Sequence, residues 1–314
     1  MTGGLGFIGS NFVKYHLTEH PEDEVVNLDK ETYAASPLAL RELRKLRNHR
    51  LVKGDICDRN LVGKCMGGVD AVVHIAAETH VDRSIRNPRP FVRTNVAGTL
   101  NLLMTARKCG VSRFHHVSTD EVYGSLALDS DKMFDEATRY SPRNPYSASK
   151  ASSDFLVQTF HETYGLHTTI TNCSNNFGPF QNAEKLIPKA ILNALSDRPI
   201  PVYGDGKNVR DWLYVDDHCS AIDLALREGK PGETYCISAG NEFSNLQITK
   251  MLLDIIGKDD KLIQFVEDRL GHDRRYSLDS AKIRSQLGWH SQHPFREALT
   301  QTVSWYREHK NSFS

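Results

Sequence analysis

The sequence predicts an α/β protein with a doubly wound parallel sheet and a smaller, mostly helical C-terminal lobe. Short apolar segments alternate with helix-forming stretches along most of the chain, which is the pattern of successive βαβ units. Several of these apolar segments give way to polar residues, as strands do when their carboxyl ends carry a site. Near the start, Gly3, Gly6 and Gly9 have the spacing G-x-x-G-x-x-G, which allows a tight turn before a helix.

The glycine segment predicts a dinucleotide site. Glycines let backbone N–H groups approach a pyrophosphate at the N-terminus of a helix, here predicted over residues 10–20. Three glycines alone also fit an ordinary turn, but an apolar strand over 24–29 follows and ends in Asp29. A carboxylate at this position can bond the adenosine ribose hydroxyls. The segment therefore predicts a Rossmann-type fold that binds NAD rather than NADP.

The stretch before the glycines is unusually short. Only Met1 and Thr2 precede Gly3, whereas the first glycine of a dinucleotide fold normally follows a buried strand. If the chain starts here, we expect a short central strand and weaker retention of the cofactor. Restoring about six apolar residues upstream would then raise the stability and the NAD affinity.

The remaining elements of the main sheet follow in chain order. Strands are predicted over 24–29, 50–54, 70–76, 113–119, 167–173 and 234–238, since each is an apolar run bounded by polar or turn residues. Helices are predicted over 38–48, 60–65, 90–108 and 146–164. This alternation implies helices on both faces of one parallel sheet.

A smaller lobe is predicted to begin after Asn176, where prolines and a Gly-Asp-Gly turn interrupt the pattern. Its elements would be a helix over 183–195, a strand over 201–204 and helices over 245–256 and 295–309. Residues 211–226 and 234–238 suggest another unit of the main sheet. We therefore predict a Rossmann domain over 1–174, to which 211–240 return, and an interleaved substrate-binding lobe over 175–314.

A group of proton-transfer residues follows the strand over 113–119. Thr119, Asp120 and Glu121 lie at its end, and Tyr146 and Lys150 lie one helical turn apart downstream. A dehydrogenase needs a base that takes a hydroxyl proton while hydride leaves the same carbon, and Tyr146 with Lys150 can do this. Hydride transfer needs neither carboxylate. Beside a newly formed ketone they predict an elimination: one removes an acidified C–H proton and the other protonates a departing hydroxyl.

Composition argues against several other functions. Among the 314 residues, basic and acidic side chains number 39 each, so no overall field attracts nucleic acid or an anionic membrane. No apolar run reaches transmembrane length and the start has no signal-peptide pattern, which predicts a cytoplasmic protein. The histidines are scattered and the cysteines form no C-x-x-C pair, which predicts no metal site. Buried reduced thiols are predicted at Cys57, Cys65, Cys109, Cys173, Cys219 and Cys236.

Motifs spread along the chain carry a family resemblance. Besides the glycine segment and Tyr146-x-x-x-Lys150, they are Ala76-Ala77-Glu78-Thr79-His80-Val81-Asp82-Arg83-Ser84, Ser118-Thr119-Asp120-Glu121-Val122-Tyr123-Gly124, Asn175-Asn176-Phe177-Gly178-Pro179, Glu184-Lys185-Leu186-Ile187-Pro188, Val209-Arg210-Asp211-Trp212-Leu213-Tyr214-Val215 and Gly271-His272-Asp273-Arg274-Arg275-Tyr276. The chain resembles the nucleotide-sugar 4,6-dehydratases of the extended short-chain dehydrogenase/reductase superfamily, and among these the dTDP-glucose 4,6-dehydratases. The resemblance implies a hydro-lyase that uses NAD and a nucleotide-activated glucose. It also implies a homodimer formed by the helices over 90–108 and 146–164.

The resemblance assigns a role to each proton-transfer residue. Tyr146 would accept the proton of the sugar C4 hydroxyl, its pKa lowered by Lys150 and the nicotinamide charge, while Thr119 bonds the C4 oxygen. Glu121 would remove the C5 proton and a protonated Asp120 would donate to the leaving C6 hydroxyl. Hydride would then return to C6, giving a 4-keto-6-deoxy sugar. The surroundings of the two carboxyl groups should push their pKa values apart.

Binding residues are implied by the same resemblance. The cofactor contacts would be Gly3, Gly6, Phe7, Ile8, Gly9, Asp29, Lys30, Thr32, Asp55, Ile56, Ala76, Ala77, Glu78, Thr94, Tyr146, Lys150 and Asn176. The substrate contacts would be His80, Thr119, Asn175, Lys185, Leu186, Pro201, Tyr203, Arg210, Asn245, Asp268, Arg269 and His272. Three of these are cations that could neutralise a diphosphate in a chain without net charge: Lys185, Arg210 and Arg269.

Departures from the family pattern concern binding rather than chemistry. Glu31 replaces an apolar residue near the adenosine side, Leu270 replaces a proline, and the chain stops at Ser314. Four alternatives stay open: a UDP-glucose 4,6-dehydratase, a sugar-nucleotide 4-epimerase or decarboxylase, a non-catalytic protein that holds NAD, and a net dehydrogenase. The epimerases share the glycines, the tyrosine and the lysine but need no adjacent carboxylates at this strand end.

Overall fold

The computed structural model describes residues 1–268 and 272–313. Its α-helices are α1 (Phe7–Glu19), α2 (Pro37–Leu43), α3 (Arg59–Met66), α4 (Val81–Arg86), α5 (Arg89–Phe91), α6 (Thr99–Cys109), α7 (Pro145–Tyr164), α8 (Leu186–Ala194), α9 (Val215–Glu228), α10 (Asn245–Ile256), α11 (Ala281–Leu287) and α12 (Phe295–Glu308). Its strands are β1 (Val25–Asp29), β2 (His49–Lys53), β3 (Ala71–His74), β4 (Arg113–Thr119), β5 (Thr168–Cys173), β6 (Asn175–Phe177), β7 (Ile200–Tyr203), β8 (Val209–Tyr214), β9 (Thr234–Ile237), β10 (Glu242–Ser244) and β11 (Ile263–Val266). Short 3₁₀ turns cover Asp120–Tyr123, Asp260–Leu262 and Lys310–Phe313.

The main sheet is parallel and doubly wound. Strands β3, β4, β5 and β9 pair in that order, and β1 pairs with β2. Thr2 joins the two halves through parallel bridges to Leu28 in β1 and His74 in β3. The resulting order is β2-β1-Thr2-β3-β4-β5-β9. Successive strands are added on one side of Thr2 and then on the other, and such a switch point opens a crevice for a ligand. The predicted α/β fold class is confirmed.

Helices cover both faces of this sheet. On one face, Phe12 of α1 and Ile222 of α9 pack with Val73 and Val117 of the sheet. On the other, helices α3, α6 and α7 pack in a second cluster whose sheet residues include Phe114. Each large apolar side chain buried in this way contributes roughly 1.5–3 kcal/mol. Both layers therefore hold the carboxyl ends of the strands in fixed positions.

The smaller lobe is built on two short sheets. Strand β8 pairs with β6 in parallel and with β10 in antiparallel fashion, and β7 pairs with β11 in parallel. Helices α8, α10 and α12 pack together over a core that includes Ile191, Leu252 and Val303. Strand β9 returns to the main sheet beside β5, as predicted for the strand over 234–238. The domain limits at 174 and 175 stay a prediction.

The predicted helix over 90–108 is interrupted. It consists of α5, a π-helical segment (Val92–Gly98) and α6. At Gly98 an added Cβ would lie 2.5 Å from Cδ1 of Ile56, so this helix packs closer to the loop after β2 than a larger residue allows. Wide π turns are frequent at functional sites, and this one carries Thr94. No sequence periodicity indicates such a turn.

Several short elements were not predicted: α4, β6, β10, β11 and α11. Three of them are strands of three or four residues whose pairing partners lie elsewhere in the lobe, so local sequence carries little signal for them. Two predicted helices are shorter in the structure. The one predicted over 38–48 ends at Leu43, and the one predicted over 183–195 begins at Leu186.

The cysteine prediction is wrong for half of the six residues. Cys173, Cys219 and Cys236 are buried, but Cys57 and Cys65 are half-buried and Cys109 is exposed at the end of α6. All six are free thiols. In the described part of the chain, no helix combines the length and apolarity needed to cross a bilayer.

Candidate active site

A cleft follows the carboxyl ends of the main-sheet strands and continues to the loop before α8. Every predicted cofactor contact except Lys150 lines it, and so do the predicted substrate contacts Thr119, Asn175 and Lys185. Lys150 lies behind the cleft wall, with 4% of its surface exposed. Residues that sequence reasoning did not select also line the cleft, among them Tyr33, Ser118, Cys173, Gln181, Asn182 and Glu184.

The glycine turn brings the start of α1 close to the sheet. Gly3 has φ +76°, a left-handed conformation that favours glycine, and an added Cβ there would lie 2.6 Å from the backbone nitrogen of Ala76. At Gly9 an added Cβ would lie 2.1 Å from the backbone oxygen of Gly3. Gly6 caps α1 without any side-chain hydrogen bond. The turn therefore leaves the helix N-terminus open to the cleft, as a pyrophosphate site requires.

Asp29 ties the end of β1 to the glycine turn. Its Oδ2 accepts from the backbone N–H of Leu5 (2.9 Å) and its Oδ1 from that of Glu31 (2.8 Å). Burial raises the pKa of Asp29. Glu31, the departure from the family pattern, has φ 54° and its Oε2 lies 2.7 Å from Nζ of Lys53. Its charge is therefore paired at the edge of the sheet.

The floor of the cleft holds two different carboxyl groups. Thr119 Oγ1 accepts from the backbone N–H of Glu121 (3.3 Å) and donates to Oδ1 of Asp120 (3.2 Å). Asp120 is 2% exposed, and its buried Oδ2 has no hydrogen-bond partner among the described residues. Burial, followed by the neighbouring charge of Glu121, raises the pKa of Asp120 well above its usual range. This carboxyl group is therefore suited to donate a proton.

Glu121 is less enclosed than Asp120 and is oriented by a neighbour. Its Oε2 accepts from Nδ2 of Asn144 at 3.2 Å. Asn144 is also the N-cap of α7, where its Oδ1 accepts from the backbone N–H of Ser147 and completes a capping box. The same asparagine thus begins the helix that carries Tyr146 and positions the second carboxylate. An Asn-Pro pair before a helical segment predicts a helix start from sequence. The contact of Asn144 with Glu121 cannot be predicted in this way.

Tyr146 lies in the first turn of α7 and is 8% exposed. Burial, and next the charge of Glu121, raise its pKa well above the usual value, while a hydrogen bond with Thr119 acts in the opposite direction. The expectation that Lys150 and the nicotinamide charge together lower the pKa of Tyr146 stays a prediction. Lys150 donates from Nζ to the backbone oxygen of Val117 (2.8 Å), and burial lowers its pKa to about 8.

The lining also contains buried acceptors that fit a polar ligand. Asn175 Oδ1, Asn176 Oδ1 and Gln181 Oε1 are buried and have no hydrogen-bond partner among the described residues. Buried polar atoms without partners are rare in native proteins. With the open helix N-terminus and Asp29, these acceptors fit a dinucleotide and a polyhydroxylated substrate.

The other predicted substrate contacts lie outside the cleft lining. Arg210 of β8 donates to the backbone oxygens of Val209 (2.7 Å) and Asp273 (2.9 Å) and stacks on the Tyr276 ring at 4.4 Å. The charge of Arg210 lowers the pKa of Asp120. Arg210 therefore acts on the cleft floor formed by Thr119, Asp120 and Glu121, which we call the catalytic floor. The remaining positions are His80, 3.4 Å from Glu184; Leu186, which begins α8; Pro201 and Tyr203 in β7; and Asn245, which begins α10.

One predicted substrate loop is described only in part. Nδ1 of His272 lies 2.6 Å from Oδ1 of Asp268, and the His272 ring lies edge-on to that of Tyr203, with centroids 6.5 Å apart. Arg269 and Leu270 lie outside the described residues.

Two histidines lie together away from the cleft. His16 Nδ1 and His20 Nε2 contact the two oxygens of Asp223 at 2.7 and 2.9 Å, and His16 Nε2 lies 3.1 Å from Asp23. Arg227 reaches both aspartates. The cluster therefore joins α1 to α9 through hydrogen bonds and the ion pairs of Arg227, a contact that the scattered histidine positions in the sequence do not reveal.

Comparison with known proteins identifies the family. The family described as GDP-mannose 4,6 dehydratase matches residues 1–302. The chain belongs to this family. It is 50% identical to a low-salt glycan biosynthesis protein of Haloferax volcanii, over 98% of this chain and 97% of that one. It is 47% identical to a dTDP-glucose 4,6-dehydratase of Mycobacterium tuberculosis, over 99% of this chain and 93% of that one.

Solved structures extend the comparison to the fold. A dTDP-glucose 4,6-dehydratase from Streptomyces venezuelae, solved with bound NAD, has a TM-score of 0.95 and 47% identity, covering 99% of this chain and 97% of that one. A UDP-glucose 4-epimerase from Thermotoga maritima has a TM-score of 0.91 and 30% identity, covering 98% of each chain. The predicted resemblance to the 4,6-dehydratase family is confirmed. Because an epimerase shares the fold, the reaction must be argued from the site.

Proposed function

We propose that this protein removes water from dTDP-glucose in an NAD-dependent reaction and yields the 4-keto-6-deoxy sugar. The observation that carries the proposal is the Asp120 carboxyl group. It is buried at the floor of a Rossmann cleft, its pKa is raised, and it lies next to Glu121. A neutral carboxyl group beside a second carboxylate supplies the acid and the base that an elimination needs.

The reaction begins with oxidation of the sugar at C4. NAD bound along the cleft would supply the hydride acceptor for C4 and the hydride donor for C6. Tyr146 takes the proton of the C4 hydroxyl, and Thr119 bonds the same oxygen. Since burial and Glu121 hold the pKa of Tyr146 high in the chain alone, positive charge close to the phenol favours this step. Lys150 carries such a charge one turn along α7.

Elimination follows at C5 and C6. The ketone at C4 makes the C5 proton acidic, and Glu121, oriented by Asn144, removes it. Asp120 donates its proton to the C6 hydroxyl, which leaves as water. The hydride taken from C4 would then return to C6 and a proton would go to C5, which gives the 4-keto-6-deoxy sugar. The buried Oδ2 of Asp120 has no partner within the described chain, so its carboxyl group has bonding capacity for this hydroxyl. General acid and base groups in such positions typically contribute about 10²–10⁴-fold each to the rate.

The alternative reactions make less use of this site. A 4-epimerase or a net dehydrogenase needs the tyrosine and the lysine but no donor for a leaving hydroxyl. Burial of Asp120, the donor that we propose, is unfavourable because one of its oxygens has no partner among the described residues, and such groups are frequent at functional sites. The nucleotide is proposed from the dTDP-glucose relatives. Thymine and uracil differ by one methyl group, worth about 1 kcal/mol in a pocket.

An assay of product and cofactor tests the proposal. The protein is incubated with dTDP-glucose and, separately, UDP-glucose, and the 4-keto-6-deoxy product and net NADH are measured. We expect product from dTDP-glucose without net NADH. Glu121→Gln should stop product formation, whereas Glu162→Gln, at an exposed position of the same α7 helix, should not. A 4-epimer, stoichiometric NADH, or unchanged activity of Glu121→Gln would refute the proposed elimination.

We also propose a homodimer that forms through the π-helical segment, α6 and α7. Apolar side chains are exposed along these helices: Val92 (56%), Leu100 (36%), Met104 (45%) and Phe155 (55%). Apolar residues clustered on one exposed face are typical of an interface. Met104→Glu should shift the mass measured by light scattering from dimer to monomer, and Leu128→Glu, at an exposed leucine away from these helices, should not. A monomeric wild-type protein would refute the dimer.

A cytoplasmic location completes the proposal. All six cysteines are free and none pairs with another, which fits a reducing compartment. The proposed substrate and cofactor are both products of cytoplasmic metabolism. Fractionation of cells should find the protein with cytoplasmic enzymes.

A further inference from the structure

A buried polar network surrounds Lys150 on the side away from the cleft. Besides its bond to Val117, Nζ of Lys150 lies 3.2 Å from Nε2 of His116 in β4. The same Nε2 lies 3.2 Å from Oδ1 of Asp154, one turn further along α7. The side chains of His116 and Asp154 are 1% and 0% exposed. Water therefore does not screen the charges in this network.

Oδ1 of Asp154 forms no hydrogen bond within the described residues, and the carboxyl group is fixed through its other oxygen. Ser118 Oγ donates to Oδ2 at 2.7 Å, and Tyr140 and Asn172 also hydrogen-bond to this group. Ser118 directly precedes Thr119 in β4, so the network is continuous with the strand end that carries the catalytic floor. A carboxyl group held by hydrogen bonds in this way keeps one position while charges change in the cleft.

Other titratable groups that face the network are neutral. Burial lowers the pKa of His74, whose ring lies 5.0 Å from that of His116, and lowers the pKa of His116 as well. Burial raises the pKa of Cys173 to about 12 and also raises that of Tyr140. Asp154 is therefore the anion behind Lys150. Tyr146, which lines the cleft, lies one turn before Lys150 on α7.

We propose that Asp154 is a positioning residue for C4 oxidation, whose buried negative charge, one turn along α7 from Lys150 and 3.2 Å from the same His116 nitrogen, keeps the ammonium group of Lys150 charged. The inference rests on the proposed function, because that reaction begins with a proton passing to Tyr146. Tyr146 must carry negative charge to accept it, and a buried anion next to Glu121 needs a nearby cation. Burial acts against that cation, since it lowers the pKa of Lys150 to about 8, and Asp154 acts in its favour.

The test is the pH dependence of Asp154→Asn, a change that removes the charge and keeps the size. The holoenzyme is mixed with dTDP-glucose in a single turnover, and reduced nicotinamide is followed by absorbance across a pH series. Without Asp154, Lys150 loses its proton at lower pH. We therefore expect the alkaline limb of the oxidation rate to move down by about one pH unit, which is about a tenfold loss above the limb. The KM for the sugar nucleotide should stay unchanged, because Asp154 does not line the cleft.

Asp223→Asn is the matched control. Asp223 is also a buried carboxylate with histidine partners, but it lies in α9 and contacts His16 and His20. This substitution should lower thermal stability without moving the alkaline limb. Ser118→Ala provides a second variant in case Asp154→Asn does not fold. It removes a hydrogen bond that favours the charged form of Asp154, and should move the limb in the same direction by a smaller amount.

An unmoved alkaline limb in folded, cofactor-loaded Asp154→Asn or in Ser118→Ala would overturn the inference. A merely structural role predicts that outcome, with lower stability alone. The proposed function fails differently: reduced nicotinamide would form in the wild-type enzyme and no 4-keto-6-deoxy sugar would follow. That result would leave the role of Asp154 in oxidation intact.

Discussion

The catalytic floor and the smaller lobe hold their charged groups in opposite ways. In the floor, Asp120 and Lys150 are 2% and 4% exposed, and burial is the largest cause of the pKa shift of each. In the lobe, the Asp268 side chain is 37% exposed where it pairs with His272, and Tyr203 is 39% exposed at the end of β7. The two buried groups predicted to take part in the chemistry are desolvated, whereas Asp268 and Tyr203, predicted to hold the substrate, remain partly exposed to water.

This difference indicates how each region works. In the desolvated floor the charged form of a group is disfavoured, so the protonation state of each group depends on its burial and on its immediate neighbours. Exposed ion pairs are worth about 0–1 kcal/mol each, so lobe residues can exchange partners when a nucleotide sugar binds. Arg210 belongs to both regions, because it lies in a lobe strand, is 5% exposed and lowers the pKa of Asp120. Substitutions in the two regions should therefore separate kcat from KM.

The largest effect is expected for Tyr146→Phe. Loss of the phenol removes the acceptor of the C4 proton, so kcat should fall by about 10³-fold with little change in KM. Steady-state product formation measures this loss. Tyr164→Phe, at an exposed tyrosine at the end of the same helix, should retain full activity. A near-normal rate for Tyr146→Phe would show that the tyrosine does not accept the C4 proton. It would also contradict the assignment of the chemistry to the buried region.

Asp120→Asn should have the next largest effect. The amide keeps the shape but cannot donate the proton, so dehydration should fall by about 10²-fold while C4 oxidation continues. Reduced nicotinamide should accumulate in a burst that absorbance detects. In the wild-type enzyme the donor form of Asp120 exists below its raised pKa. Dehydration should therefore decline as the pH rises through that raised pKa, and loss on acidification in the same range would contradict the assignment.

Arg210→Lys tests the residue shared by the two regions. Lysine keeps the charge but cannot reproduce the fork that bonds two backbone oxygens. We expect the KM for dTDP-glucose to rise by about tenfold, equivalent to about 1.4 kcal/mol, with a small change in kcat. The control is Arg274→Lys, where the arginine forms an exposed pair with Asp205. A fall in kcat at unchanged KM would assign Arg210 to the catalytic floor instead.

Asp268→Asn should have the smallest effect. The substitution removes the charge that faces Nδ1 of His272 and leaves a hydrogen-bond acceptor at the same position. Because exposed pairs contribute about 0–1 kcal/mol, we expect the KM to change by about twofold or less and kcat to stay constant. Substrate-saturation curves provide the measurement. A loss of kcat comparable with that of Asp120→Asn would show that the lobe takes part in the chemistry.

Much of the cofactor half of the site could be predicted from sequence. Gly3 and Asp29 follow or end neighbouring sheet elements, Gly9 lies in the first turn of α1, and parallel topology gathers strand ends at one edge. The cleft lining contains all the predicted cofactor contacts except Lys150. The lobe was harder to predict, because β7, β8, α10 and the loop at Asp268 meet only through tertiary packing.

Other properties of the site had no local signal. Asn144 orients Glu121 from 23 residues away, and His116, which contacts both Lys150 and Asp154, precedes them by 34 and 38 residues. The raised pKa of Tyr146 in the chain without cofactor also had no local signal, because the Tyr-x-x-x-Lys spacing reveals the lysine but not the depth of burial.

The sequence by itself determined the α/β fold class, the dinucleotide turn and the set of acid and base groups, because periodicity, glycine spacing and residue chemistry are local properties. Only the tertiary structure decided the direction in which the surroundings move the pKa values of Asp120, Tyr146 and Lys150. A pKa depends on the solvent excluded around a group and on charges brought close by the fold. Neither quantity exists until the chain has packed.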